Sequence, residues 1–206
     1  MTAEATSLDR GNVATRLTDP SAAARIPGDA GIWVLIAGEL AVFTLFFFLF
    51  SHARAQDPVT FAAAHLTLNP ELGLANTVLL LTGSLFVAIG VHRVKAGRLG
   101  SQTFIRLGMA CGLSFAALKV MEYADKVEAG ITLSTNDFFM YYFALTGIHL
   151  FHVVLGLGFL SWAQTAVKMP LSATRLTFVE GAGLFWHLVD LLWIVLFALF
   201  YLLGAR

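Results

Sequence analysis

The stretch Phe185-Trp186-His187-Leu188-Val189-Asp190-Leu191-Leu192-Trp193-Ile194-Val195-Leu196-Phe197 decides the fold. Apolar residues on both sides extend it to about 178–203, long enough to cross a hydrocarbon core of about 30 Å as a helix. An Asp at mid-membrane costs roughly 2.5–3.5 kcal/mol on insertion scales. A purely lipid-facing anchor would not carry that cost, so His187 and Asp190 are expected to face protein.

The rest of the chain supports the same class. Of its 206 residues, 58% are hydrophobic and the formal net charge is zero, with a mean hydropathy of +0.77. Soluble domains are about 45–50% apolar, so an integral membrane protein is expected. Zero net charge gives no hint of nucleic-acid binding, and none is expected as a partner. The single cysteine, Cys111, excludes an internal disulfide. Residues 1–28 are expected to form a disordered cytoplasmic tail, with Arg10, Arg16 and Arg25 in a polar stretch lacking the apolar core of a signal peptide.

Five apolar stretches are long enough to span, at about 31–51, 72–93, 104–125, 138–164 and 178–203. No period-two alternation suggests a β-barrel. The expected architecture is an all-α five-helix membrane bundle over residues 29–206. Pro27-Gly28 precedes the first span and Asn69-Pro70-Glu71 opens the second with Pro early in the helix. Thr135-Asn136-Asp137 offers cap oxygens to the fourth, where Asp137 is the simplest cap. Met169-Pro170 breaks the chain before the fifth.

Loop charge orients the bundle. One side collects Arg10, Arg16, Arg25, Arg93, Lys95, Arg98, Arg106, Lys168 and Arg175; the other has Arg54, Lys126 and Arg206. The positive-inside rule then places the N-terminus in the cytoplasm and the C-terminus in the periplasm, as an odd number of spans requires.

Ionisable residues recur within these spans. With a rise of about 1.5 Å per residue, Glu39 lies about 12 Å from the cytoplasmic edge, and His187 and Asp190 about 13 and 18 Å from the same edge. His149 and His152 lie about 16 and 21 Å from the other edge, with Lys119 near the same level. These groups form a candidate middle layer drawn from four helices. His149/His152, His187/Asp190 and Lys119/Glu122 are each i, i+3, which puts both members of a pair on one helix face. Lys119 can pair with Glu122 within its helix, or reach Asp190 or Glu39 on another.

Four readings of this layer are open: a metal site, a proton relay or transporter, interhelical packing, or a site acting on a partner protein. Other features read as structural. Residues 42–48, rich in Phe, suit a lipid- or partner-facing surface, and Trp186 and Trp193 a packed seam. Gly147, Gly156, Gly158, Gly181 and Gly183 would allow close helix approach. Trp162 and Tyr201 suit the interfacial belt.

Particular motifs carry a family resemblance. Trp186-His187-Leu188-Val189-Asp190-Leu191-Leu192-Trp193 resembles the closing helix of subunit III of haem-copper oxidases. Thr146-Gly147-Ile148-His149-Leu150-Phe151-His152 is similar to that family's Thr-Gly-x-His-x-x-His helix, Lys119-Val120-Met121-Glu122-Tyr123 to its Glu-Tyr motif, and Gly38-Glu39-Leu40 to its buried acid. The segments 26–33, 135–142 and 178–181 resemble the NorE-like branch, which accompanies bacterial nitric oxide reductases. Five spans are fewer than in mitochondrial-type subunit III, which begins with two more; those two would form one arm of its lipid-holding cleft.

The resemblance implies a non-catalytic accessory subunit in a bacterial cytoplasmic membrane, in contact with lipids. It implies no haem, copper or other cofactor, no metal, and no redox chemistry of its own. Its expected partner is the catalytic subunit of a haem-copper oxidase or nitric oxide reductase, whose stability and proton uptake it would support. The expected polar set is Glu39, Lys119, Glu122, His149, His152, His187 and Asp190. The competing expectation is a stand-alone proton-coupled membrane transporter.

Overall fold

The computed structural model describes residues 27–169 and 172–203. The expected tail (all but its last two residues), Pro170 and Arg206 lie outside them. Within them the chain is all-helical: α1 Ala30–Gln56, α2 Pro58–His65, α3 Pro70–Lys95, α4 Ser101–Glu128, α5 Asp137–Val167 and α6 Ala173–Phe197. A π-helical turn, Ala198–Leu202, continues α6. Five helices are long and apolar enough to cross a membrane: α1, α3, α4, α5 and α6 with its π-turn. The five expected spans are all present.

The helix starts follow from local sequence. Asp29, Asp57, Asn69, Asn136 and Ser172 each accept a hydrogen bond from an otherwise unpaired amide of the first turn, the ordinary cap arrangement. The fourth span is therefore capped by Asn136, through Phe139 N–H at 3.0 Å, and Asp137 is its first helical residue rather than its cap. Helix α2 was not expected from the sequence. Asp57 and Pro58 supply its cap and first position, but eight residues give little periodicity to detect.

Helices α3, α4, α5 and α6 form the core, and α1 leans against α5 and α6. The N-terminal face of the bundle gathers the start of α1, the end of α3 and the start of α6. There Lys95 Nζ meets Glu180 Oε1 at 2.9 Å, and Gly28 N–H donates to Glu180 Oε2 at 3.0 Å. At the C-terminal face Arg54 donates to the Leu203 carbonyl and Lys126 to the Thr67 carbonyl.

Close packing uses glycines other than most of those expected. A Cβ at Gly108 would lie 2.6 Å from Val87 Cγ2, and one at Gly90 2.7 Å from Ile105 Cγ1, so α3 and α4 approach through these two positions. A Cβ at Gly112 would lie 2.4 Å from the Trp186 ring. Gly156 and Gly183 also face near neighbours, whereas Gly147, Gly158 and Gly181 face open space. The Phe-rich run of α1 is mixed as well. Phe43 is 1% exposed and packs against His152, while Leu45 and Phe48 point outward.

Candidate functional site: polar groups inside the bundle

The seven expected residues do not form one hydrogen-bonded network. They fall into four arrangements.

The first is closed. Lys119 is fully buried on α4, and its ammonium donates to Glu122 Oε2 at 2.9 Å, Tyr142 OH at 3.0 Å and Tyr201 OH at 3.0 Å. Tyr201 OH donates to Glu122 Oε1 at 2.6 Å. The rings of Tyr142 and Trp193 lie 4.7 and 5.2 Å from the ammonium, within cation–π range. Lys119 thus pairs within its own helix and does not reach Asp190 or Glu39. Tyr201, expected at the membrane interface, is 3% exposed and belongs to this cluster. The π-turn widens the last turn of α6 where Tyr201 sits. Sequence reasoning missed Tyr142 and Tyr201 as partners because a span-end Tyr ordinarily belongs to the interface.

The second arrangement joins α1 to α5. His152 Nδ1–H donates to the Ile148 carbonyl at 2.8 Å, which leaves Nε2 facing Glu39 Oε2 at 3.3 Å. The ring is held between Phe43 and Phe185.

The third is His149, fully buried. It packs edge-on to Phe115 and against Trp193. Neither ring nitrogen has a hydrogen-bond partner among the described residues. Although they share an i, i+3 face, His149 and His152 meet different aromatic rings.

The fourth lies between α3 and α6. His187 Nδ1 shares a 2.6 Å hydrogen bond with Ser84 Oγ and stands 4.0 Å from Asp190 Oδ2. The Asp190 side chain is 5% exposed and neither carboxylate oxygen has a hydrogen-bond partner among the described residues. His187, by contrast, is half-buried: its side chain is 41% exposed while its Nδ1 edge faces Ser84 of α3. Ser84 carried no signal in the sequence, since a serine in an apolar helix ordinarily bonds back to its own backbone. Among the described residues, no three His, Cys, Asp or Glu side chains gather as a metal ligand set.

The sequence pattern described as "Cytochrome c oxidase subunit III" matches residues 16–205, nearly the whole chain and all of these arrangements. The chain belongs to the cytochrome c oxidase subunit III family. Its subunit III relatives span several kingdoms. It is 31% identical over 187 residues to cytochrome c oxidase subunit 3 of Schizophyllum commune, covering 85% of this chain and 67% of that one. It is 27% identical to quinol oxidase subunit 3 of Bacillus subtilis, covering 84% and 86% of the two chains. It is also 28% identical to the haem-copper oxidase subunit I+III of Aeropyrum pernix, matching 84% of this chain but 22% of that longer one.

Membership in the subunit III family accounts for a multi-pass bundle with polar residues retained inside it. It does not by itself assign a role to any of the seven residues.

Proposed function

We propose that this protein is a non-catalytic accessory subunit of a respiratory haem-copper oxidase or nitric oxide reductase. It packs against the catalytic subunit and supports that subunit's stability and proton uptake. The observation that carries this reading is the subunit III match across residues 16–205. The relative from Aeropyrum pernix, named as subunit I+III, adds support because it holds a subunit III portion in one chain with subunit I. The resemblance of segments 26–33, 135–142 and 178–181 to the NorE-like branch favours a nitric oxide reductase partner. The loop charges favour a bacterial cytoplasmic membrane with the N-terminus inside.

In this reading Glu39–His152 and His187–Asp190 keep titratable groups at mid-membrane depth beside the catalytic subunit, and the Lys119 cluster holds α4, α5 and α6 together. Mid-membrane acids and histidines mark proton paths when they persist against their cost.

The test is to purify the protein from its native membrane in mild detergent and identify what accompanies it. Catalytic oxidase or reductase subunits are expected, with lower turnover of oxygen or nitric oxide when this subunit is deleted. Recovery of the protein alone, with proton-coupled transport in liposomes, would replace this reading with a stand-alone carrier. A Glu39→Gln, Asp190→Asn double variant that assembles but takes up protons more slowly would support the proton role. Unchanged assembly and turnover would remove it.

A further inference from the structure

We propose that the start of α4, with Arg98 and Arg106 beside it, is a binding site for a phosphoryl anion on the face of the bundle expected to be cytoplasmic. The site goes beyond the accessory-subunit reading and stands independently of it.

The helix end supplies the first donors. Gly100 holds the cap position of α4, so no side chain accepts from the first turn, and no acid lies in that turn. Thr103 N–H bonds to the Gly100 carbonyl at 3.2 Å, while the Ser101 and Gln102 amides have no acceptor among the described residues. Free amides at the positive end of a helix dipole favour an anion.

The side chains around it point to a ligand. Ser101 is 5% exposed and lines a cavity of about 320 Å³ at this helix end. Its hydroxyl has no hydrogen-bond partner among the described residues. Ser51 and Ser114 bond to the carbonyl one turn back; Ser101 opens its helix and has no such carbonyl. Buried hydroxyls ordinarily find a partner, and the cavity is where this one can find it. The volume is in the range of small-ligand sites, about 300–1,000 Å³.

Charge fits the same ligand. Arg98 and Arg106 both line the cavity, and no Asp or Glu does. The Arg98 amide is fixed to the Arg93 carbonyl at 2.9 Å, while its guanidinium has no partner among the described residues. Arg106 is steered by Gln102 and Gln164 through bonds of 3.4 Å each, too long and too few to occupy its five donors. Two guanidinium groups, a hydroxyl and two amides converge with no acidic acceptor among them. A phosphoryl group, with several anionic oxygens, can accept from this set better than a carboxylate with two. Its source is either an anionic lipid headgroup at the membrane surface or free phosphate.

The test uses the full-length protein in neutral detergent and has two arms. In one, phosphatidylglycerol and phosphatidylcholine compete for the protein, and native mass spectrometry reads which is retained. In the other, inorganic phosphate is titrated against chloride at equal ionic strength and followed by calorimetry. Preferential retention of phosphatidylglycerol that phosphate does not displace assigns a lipid headgroup; saturable phosphate binding without lipid assigns free phosphate. In the arm that binds, Arg98→Gln and Arg106→Gln are each expected to weaken binding about tenfold, the scale of one charge-assisted hydrogen bond. Ser101→Ala is expected to weaken it about threefold, as for a neutral one. Both arginines are exposed, so their variants are expected to melt with the parent when unliganded. Lys168, exposed at the end of α5 and absent from the lining, is the control, and Lys168→Gln is expected to bind as the parent does. A loss in Lys168→Gln equal to that of the arginine variants overturns the site in favour of diffuse surface charge. Binding untouched by the arginine variants overturns this location. Failure of phosphatidylglycerol to exceed phosphatidylcholine, together with failure of phosphate to exceed chloride, overturns the proposal outright.

Discussion

Lys119 and His187 each lie in a spanning helix three residues before a carboxylate, yet the bundle treats the two pairs in opposite ways. Lys119 and Glu122 meet at 2.9 Å, with side chains 0% and 5% exposed, and two tyrosine hydroxyls complete the cluster. His187 and Asp190 stay 4.0 Å apart; the imidazole turns to Ser84 and outward, and the carboxylate lacks a hydrogen-bond partner among the described residues. Helical spacing is the same in both. Neighbours decide the outcome, because α5 and the π-turn of α6 bring Tyr142 and Tyr201 over Lys119. The closed pair reads as an internal clamp. The open pair leaves a buried carboxylate without a hydrogen-bond partner among the described residues.

The largest expected effect comes from opening the closed pair. Glu122→Leu leaves a buried ammonium without its counter-charge, which costs about 3–5 kcal/mol. Thermal unfolding in detergent is expected to show a steep loss of stability, and the Lys119→Met, Glu122→Leu double variant to recover most of it. A single variant as stable as the parent would mean that Lys119 gains little from Glu122 and the clamp is misread.

Next is the contact of α4 with α6 at Gly112 and Trp186. Gly112→Ala would bring a methyl group 2.4 Å from the Trp186 ring, and overpacking of this kind costs about 1–3 kcal/mol. Reduced thermal stability with shifted Trp fluorescence is expected. Unaltered stability would show that Trp186 moves freely and that the core around Gly112 is loose.

His187→Leu sharpens the contrast from the other side. It removes one partly exposed hydrogen bond, worth about 0.6 kcal/mol on average in membrane proteins. The isolated protein is therefore expected to melt within a few degrees of the parent. A loss as large as that of Glu122→Leu would make His187 part of the internal scaffold, and the two pairs would then be alike.

The smallest effect concerns an acid in water, a reference for those in the membrane. The Thr60 hydroxyl and the Thr60 N–H, the latter at 3.1 Å, hold the Asp57 carboxyl below its usual range. A depressed value means that the cap's contribution is present at neutral pH and is lost as the pH falls through that value, below about pH 4. The protection of α2 amides, relative to their intrinsic exchange at the same pH, is expected to fall there, and to be low at every pH in Asp57→Ala. Protection in α2 that is unchanged on acidification would show that Phe61 and Ala64, both buried, hold the helix without the cap.

Much of this protein is written in local sequence. Runs of apolar residues about 20 long gave the five spans, since the backbone in lipid must satisfy itself and only a helix of that length does so here. Asn69 and Pro70 marked a helix start, and the spacing of Lys119 and Glu122 allowed their pairing. Contacts between helices were not local and were not legible in the same way. Which of many glycines meet a neighbour, that Tyr201 turns inward through a π-turn, that Phe43 is covered, and that His187 faces out with Ser84 on one side all depend on how α3, α4, α5 and α6 rotate about their own axes. In an almost uniformly apolar span no polar stripe fixes that rotation, so only the packed tertiary structure decides which polar side chains close on each other and which are left open.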